Sequence, residues 1–402
     1  MDKKNSYKEE ILNHLAKNSF LNPDQSNFFH GRIYGKSHPP APSVTLESSD
    51  APRHDHGAPE WLTATEFTDA KDVFEDKVDW LMTLLKISSK TLIYTGAGIS
   101  TAAGVEQAAR GGGGCQKKVA CSADAQPTVT HRAIAALRKA GLVQSWIQQN
   151  HDGLPQKAGY PQEDIVEIHG SWYDPSNPVV CYDGNLKHEH YQKLKEAADS
   201  ADLVLVLGTS LSGLNSDRVA KDPAKRSLQG KSLGTVITNL QQTQQDGISS
   251  LRIFSQTDRV FSALLDKLGV PLSPSPKYPL ENKVLIPYDR NGKLSKTKQM
   301  FLDLSDNQKI RLNPDHNCQG SKQGAYMHIG AKQAIRYKDS VRQPGPGHGR
   351  VVKYSYSQCG WRLEVEGVPM LLGGWWLEAA ARGVLESVPV INIEPQVVDV
   401  VH

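Results

Sequence analysis

The chain has 402 residues, and its 46 lysines and arginines nearly balance 43 aspartates and glutamates, which leaves a formal net charge of +3 at pH 7. This small charge argues against direct binding to nucleic acid or to an anionic membrane, because either partner would require a strongly basic surface. Five cysteines without a Cys-x-x-Cys pair favour reduced thiols and a cytoplasmic or nuclear location over a disulfide framework.

The N-terminal 60 residues are expected to form a largely disordered polar tail. Residues 22–60 are rich in Pro, Ser, His and Asp, a composition that buries too little apolar surface to offset the entropy lost on ordering. The N-terminus also has neither the apolar core of a signal peptide nor the acid-poor composition of a transit peptide. Folded structure is predicted to begin at Trp61, with a helix whose apolar positions run from Phe67 to Leu85.

Between residues 61 and 270, short apolar runs alternate with helical patterns, which predicts a doubly wound α/β domain of the Rossmann-like type with a parallel sheet. The short apolar runs at 203–207 and 235–239 are typical of strands covered on both faces. Further strands are predicted near 91–95, 142–148 and 165–168, and further helices near 131–140, 191–198 and 260–268.

Two more regions follow this predicted domain. Residues 271–282 have the Pro and Ser content of a linker. Residues 283–402 contain short, often alternating apolar runs, which predict a small β-rich module with one helix near residues 375–384.

The first strand of the predicted domain breaks into Gly96-Ala97-Gly98-Ile99-Ser100. Glycines allow a backbone to approach a phosphate closely, and free N–H groups at a helix start attract anions. The dehydrogenase fingerprint would require Gly or Ala where this chain has Thr101, and an acidic residue about 20 positions later, after the second strand. The turn therefore indicates a nucleotide site but argues against a hydride-transfer enzyme.

Polar motifs follow the other predicted strands. They are Gln149-Asn150-His151-Asp152-Gly153, His169-Gly170, Gly208-Thr209-Ser210-Leu211 and Asn239-Leu240-Gln241. Because the C-terminal ends of strands in an open parallel sheet converge on one crevice, we expect an amide, a carboxylate, an imidazole and two hydroxyls to meet beside the glycine turn.

These motifs, together with Pro127 to His131, resemble in order and spacing the sirtuin family of NAD-dependent protein deacylases over residues 88–268. The resemblance implies that NAD lies across the crevice and that an acylated lysine of a protein or peptide is deacylated, with release of nicotinamide and O-acyl-ADP-ribose. It implies that His169 is the general base, a role suited to an imidazole that titrates near neutral pH, and that Asn150 and Asp152 contact nicotinamide and ribose.

His151 occupies a position where the family usually has an apolar residue. The implied cofactor-binding residues are Gly96, Ala97, Gly98, Ile99, Ser100, Arg110, Gln149, Gly208, Thr209, Ser210 and Asn239.

The cofactor loop departs from the family. After its glycine turn the family has Gly-Ile-Pro-Asp-Phe-Arg, whereas residues 104–114 here read GVEQAARGGGG. Only Arg110 offers a match, with a shift of one residue, and the aromatic lid that shields the intermediate from water is missing. Two alternatives therefore stay open. One is an NAD glycohydrolase or ADP-ribosyltransferase that uses the same pocket, and the other is a silent NAD-binding protein whose C-terminal module recruits a protein partner.

The family's zinc module is also missing. Only residues 172–177 separate the His-Gly motif from the next strand, too few for a tetrahedral cysteine site. Cys115 and Cys121 lie in the glycine-rich loop and are interpreted as free thiols. We therefore expect no structural zinc.

The resemblance also places the substrate peptide. In the family, the peptide adds as an extended strand between the strand that follows the zinc module and the segment after Gly-Thr-Ser-Leu, an example of β-augmentation. The corresponding residues are Val179, Tyr182, Ser212, Gly213 and Leu214.

Overall fold

The structure is a computed structural model. It describes residues 3–18, 20–36, 39–50, 59, 61–105, 125–161, 164–171, 186–211 and 215–273, together with the strands between residues 283 and 401. The helices are α1 (Lys3–Lys17), α2 (Lys71–Ile87), α3 (Val129–Lys139), α4 (Leu154–Lys157), α5 (His188–Ser200), α6 (Arg218–Ser227) and α7 (Thr257–Leu268). Within the described residues, no helix combines the length and the apolarity needed to cross a membrane.

The strands up to residue 253 are β1 (Ser43–Leu46), β2 (Glu66–Thr68), β3 (Thr91–Thr95), β4 (Ser145–Gln148), β5 (Ile165–Glu167), β6 (Leu203–Leu207), β7 (Gly234–Thr238) and β8 (Leu251–Ile253). Of these, β1 and β2 form an antiparallel pair. The other six form a parallel sheet in the order β5-β4-β3-β6-β7-β8. This order reverses direction between β3 and β6, which is the topological switch point of a doubly wound fold. The predicted doubly wound parallel sheet is confirmed.

The central strands are buried on both faces. Every residue of β3, β6 and β7 is buried, as expected for parallel strands with helices on each side. Apolar side chains from α2, α3 and α7 join the core on one face, and those from α5 and α6 join the core on the other face. The α7 helix ends at Gly269, whose φ of +66° is the left-handed conformation that favours glycine at a helix end.

The N-terminal region differs from the expected disordered tail. In α1, Ile11 and Leu15 are buried in the core on the α2 face. The backbone of Arg32 donates to Ser249 O (3.1 Å), and Arg252 N donates to His30 O (3.0 Å), so this segment pairs alongside β8. Average composition does not reveal this outcome. A few apolar residues are enough to order a polar segment when an open sheet edge supplies hydrogen-bond partners for its backbone.

The C-terminal strands are β9 (Lys283–Ile286), β10 (Lys298–Asp303), β11 (Gln308–Pro314), β12 (Ala325–Gly330), β13 (Gln333–Lys338), β14 (Gly360–Val365), β15 (Val368–Gly373) and β16 (Val397–Val401). They form one sheet in the order β16-β10-β9 and another in the order β13-β12-β11-β14-β15. The strands predicted for this β-rich region are therefore present. The predicted helix near 375–384 lies outside the described residues, and the domain limits at 61, 270 and 283 stay predictions.

Candidate functional site

The predicted site residues follow the C-terminal ends of neighbouring strands. Gly96 follows β3, Gln149 follows β4, and Gly208 follows β6 directly, while His169 lies two residues beyond β5 and Asn239 follows β7. Because these strands are adjacent in the sheet, the motifs come together at one edge, on both sides of the switch point. The structure thus brings the described site residues to the same edge of the parallel sheet.

The two glycine turns after β3 and β6 pack directly against each other. Gly98 N donates to Gly208 O at 2.8 Å. A Cβ atom at Gly98 would lie 2.7 Å from Gly208 Cα, and one at Gly208, where φ is +58°, would lie 2.6 Å from Ile99 N. A Cβ at Gly96 would lie 2.7 Å from Thr209 Cβ. Contact between the two turns therefore requires these glycines. The sequence analysis explained them by close approach to a cofactor and did not predict this packing between the turns.

A buried hydrogen-bond network joins the turn after β3 to the segment after β4. Ser100 Oγ donates to Asp152 Oδ2 at 2.6 Å, and Leu154 N donates to Asp152 Oδ1 at 3.0 Å. Asn150 Nδ2 donates to Ser100 Oγ (3.1 Å) and to Gly96 O (3.0 Å). Ser100 is 1% exposed and Asp152 is 2% exposed. Both oxygens of the Asp152 carboxylate are therefore engaged beneath the crevice, while Asn150 is only partly buried.

The turn after β6 is also tied to the segments that follow β4 and β7. Gln149 Nε2 donates to Thr209 Oγ1 at 3.1 Å. Asn239 Nδ2 donates to Thr209 O at 3.3 Å and to Gln241 O at 3.2 Å. Gln149, Ser210 and Asn239 are half-buried, so their amide and hydroxyl groups lie partly exposed at this edge of the sheet.

His169 lies in a tight turn after β5. Gly170 N donates to Glu167 O at 3.1 Å and closes the turn, and Gly170 has a φ of +88°, which favours glycine. The centre of the His169 ring is 6.5 Å from the centre of the His151 ring, with the planes inclined by 46°. His151 adjoins Asp152, so the proposed base lies close to the Ser100 network.

A buried arginine that the sequence interpretation missed supports the turn after β7. Arg252 Nη1 donates to Asn239 O (3.0 Å), and Nη2 donates to Gln241 O (2.5 Å). Its Nε forms an ion pair with Asp246 Oδ1 at 2.9 Å. Burial lowers the pKa of Arg252, and the Asp246 carboxylate opposes that shift. The available signal was a charged residue between two apolar ones, Leu251 and Ile253, in an otherwise apolar run.

The remaining predicted residues lie outside the described residues. These are Arg110, Val179, Tyr182, Ser212, Gly213 and Leu214. The described residues that flank the 212–214 segment are well anchored: buried Leu211 has a φ of 49°, which is unusual for a residue with a side chain, and Tyr94 OH donates to Asp217 Oδ1 at 3.1 Å. Backbone strain of this kind is often found at ligand-binding segments.

The prediction that zinc is absent stays a prediction. All five cysteines lie outside the part of the chain that the structure describes. Among the described residues, no group of three or more His, Cys, Asp or Glu is placed to hold a metal ion.

The donor set of the crevice fits a dinucleotide with sugar hydroxyls and a carboxamide. Primary amides supply both donors and acceptors, hydroxyls can do the same, and an imidazole can accept a proton near neutral pH. Gln149, Asn150, Thr209, Ser210 and Asn239 provide these groups along the crevice, and His169 provides the imidazole.

The comparisons with known proteins agree on one family. A sequence profile of the Sir2 family matches residues 114–176. The chain is 31% identical over 262 residues to the Drosophila melanogaster NAD-dependent protein deacetylase Sirt6, covering 52% of this chain and 81% of that protein. It is 28% identical over 267 residues to sirtuin-7 of Bos taurus, covering 53% of this chain and 64% of the relative.

Other similarities cover about half of this chain. The rice NAD-dependent protein deacetylase SRT1 is 28% identical over 255 residues, which is 52% of this chain and 52% of the rice protein. The chain thus spans less than two thirds of the cattle and rice proteins. A solved complex of Sir2 with a p53 peptide and NAD+ is similar over 48% of this chain and 98% of that structure, with 22% identity and a TM-score of 0.40.

Proposed function

Because this chain belongs to the Sir2 family, the sirtuins, we propose that it is an NAD-dependent protein lysine deacylase that releases nicotinamide and O-acyl-ADP-ribose. One observation carries the proposal: the His169 turn, the Asn150 and Asp152 network and both glycine turns meet at the same edge of the parallel sheet. The relatives named above, all called NAD-dependent protein deacetylases, support the same activity.

The residues of the crevice fit NAD as the cofactor. When bound, NAD supplies the ADP-ribosyl group that accepts the acyl group. The described contacts proposed for it are the backbone of Gly96, Ala97, Gly98, Ile99, Ser100 and Gly208, and the side chains of Gln149, Thr209, Ser210 and Asn239. Arg110 is proposed from its sequence alone. Since Ser100 is buried and bonded to Asp152, its proposed role is to hold the turn that receives the cofactor.

Each protein group has a specific task in this proposal. When NAD is bound, a ring nitrogen of His169 would accept a proton from a ribose hydroxyl. Asn150 presents its amide at the crevice, while its bonds to Gly96 O and Ser100 Oγ fix its orientation. Asp152 contributes by holding Ser100 and the start of α4, so its proposed contact with the cofactor depends on the small exposed part of the residue.

The substrate is proposed to be an acylated lysine in a protein or peptide. Val179, Tyr182, Ser212, Gly213 and Leu214 are the proposed peptide contacts. Support comes from Leu211, which has a left-handed backbone and directly precedes residues 212–214, and from Tyr94, which bonds Asp217 shortly after them. A cytoplasmic or nuclear location and a protein partner for the C-terminal strands remain proposals.

The test is to incubate the full chain with NAD, with and without an acetyl-lysine peptide, and to measure nicotinamide and O-acetyl-ADP-ribose. Peptide-dependent release of both products supports the deacylase. Peptide-independent nicotinamide release would replace it with the glycohydrolase or ADP-ribosyltransferase alternative. NAD binding without any release would indicate the silent binding protein.

The base assignment is tested in the same assay with His169→Tyr. We expect a loss of at least about 100-fold in peptide-dependent release, the lower range for a general base. The matched control is His188→Tyr, because His188 is an exposed histidine at the start of α5, and its activity should equal that of the wild type. Full activity of His169→Tyr would refute the assignment.

A further inference from the structure

His151 lies between two residues that bond to the glycine turn after β3, but its own ring bonds to the turn after β5. Its neighbours Asn150 and Asp152 bond to Ser100. The His151 ring instead places Nδ1 at 3.0 Å from Gly170 O. One short segment after β4 therefore bonds the β3 turn through two side chains and the β5 turn through the side chain between them.

The Gly170 carbonyl belongs to the turn that carries His169. Within that turn, Gly170 N bonds back to Glu167 O at 3.1 Å, and Ile168 N donates to Gln148 O at 3.0 Å. The bond from His151 adds a restraint on the C-terminal side of His169. The backbone is therefore tied to the segment around β4 on both sides of His169, through Ile168 N and Gly170 O.

The hydrogen bond also determines which form of the His151 ring is present. A carbonyl oxygen only accepts, so Nδ1 of His151 carries the hydrogen. Burial lowers the pKa of His151, and this effect exceeds the opposing influence of the Gly170 bond and of Asp152. The ring is therefore neutral at pH 7, with its proton on Nδ1 and none on Nε2.

We propose that His151 is a positioning residue for His169: its Nδ1–H holds the Gly170 carbonyl and so keeps the His169 turn in the orientation that faces the crevice. This inference rests on the proposed function for its kinetic consequence, but its structural part does not depend on activity. His151 acts through the turn and need not contact the substrate.

The kinetic test compares His151→Asn with His151→Leu in the full chain. The Asn amide can place a donor near the position of Nδ1, whereas Leu keeps the bulk and loses the donor. We expect His151→Leu to lower kcat by about 10-fold or more with KM for NAD changed by less than about 3-fold, because misorientation of the base affects the reaction step more than binding. His151→Asn should restore kcat to within about 3-fold of the wild type. Equal kcat values for Leu and Asn, or a fully active Leu variant, would overturn the proposal.

The structural test uses NMR of the full chain labelled with 15N-histidine, and it stays informative if no deacylation is found. The His151 ring signals are those lost in His151→Asn. At pH 7 they should show a protonated Nδ1 and an unprotonated Nε2, and the His169 ring signals should shift more in His151→Leu than in His151→Asn. An Nε2–H form of His151, or His169 signals insensitive to both substitutions, would refute the positioning role. Failure of the deacylase assay with these NMR results intact would reject the proposed function alone.

Discussion

The two halves of the crevice are held in different ways. On the side of β3, β6 and β7, which we call the backbone-held half, two turns bond directly through their main chains, as Gly98 N donates to Gly208 O, and the Arg252 side chain supports the carbonyls of the turn after β7. On the side of β4 and β5, the side-chain-held half, neighbouring turns are joined through the side chains of Asn150 and His151. Binding surfaces built on the backbone depend on shape, while the proposed proton chemistry depends on which side chain is present.

The largest expected effect tests the backbone-held half through Arg252→Met. The substitution leaves the buried Asp246 carboxylate without its ion-pair partner and removes donors from Asn239 O and Gln241 O. We expect the free energy of unfolding, measured by urea denaturation, to fall by about 3–5 kcal/mol.

The double variant Arg252→Met with Asp246→Asn is the matched control. Since Asn carries no charge, the double variant should be more stable than Arg252→Met alone. A single variant that loses less than about 1 kcal/mol would show that this half does not depend on the buried guanidinium.

A smaller effect tests the contact between the two glycine turns. In Gly208→Ala, the new Cβ would lie 2.6 Å from Ile99 N, and the φ of +58° is unfavourable for alanine. Backbone strain and overpacking together should lower the free energy of unfolding by roughly 3 kcal/mol. NAD binding, measured by calorimetry, should be lost.

Gly141→Ala separates the two causes. Gly141 has a φ of +74°, but a Cβ atom at this position would have no other atom within 4 Å. Only backbone strain of about 1 kcal/mol is therefore expected, with NAD binding retained. Equal losses of stability in the two variants would contradict the contact between the turns.

The smallest effect is a pH dependence next to the side-chain-held half, where the ring centre of His131 in α3 lies 6.0 Å from that of Trp146 in β4. His131, whose Nδ1 lies 2.8 Å from Thr128 Oγ1, is fully buried, and burial lowers its pKa from 6.5 to about 4. The unfolded chain therefore takes up this proton first, so the stability present above pH 6.5 is lost progressively as the pH falls toward 4. Between pH 6.5 and 5.5 this one group should lower the free energy of unfolding by about 1 kcal/mol.

Urea denaturation at both pH values checks this prediction. His131→Gln removes the titration and keeps a side chain that can serve the capping box at the start of α3. The variant should lose about 1 kcal/mol less than the wild type on acidification. An identical pH dependence in both proteins would mean that His131 takes up its proton equally in the folded and unfolded states.

Local sequence patterns predicted most of the central sheet and the polar segments that follow its strands. The apolar runs of β3, β6 and β7 are nearly continuous, and such runs are typical of buried parallel strands. By contrast, α6 was not predicted, because Pro223 lies in its interior and proline normally indicates a helix end. The strand β8 has only three residues, Leu251–Ile253, too few for a periodic pattern.

The sequence by itself determined most strands and helices of the central domain, in their order, and the polar motifs that follow the strands, because both are encoded in contiguous residues. Only the tertiary structure decided that Gly98 and Gly208 pack against each other, that the N-terminal segment covers β8, and that His151 holds the His169 turn. These outcomes join residues that are distant in the chain, and hydrogen bonding and close packing between them depend on three-dimensional placement that local patterns do not contain.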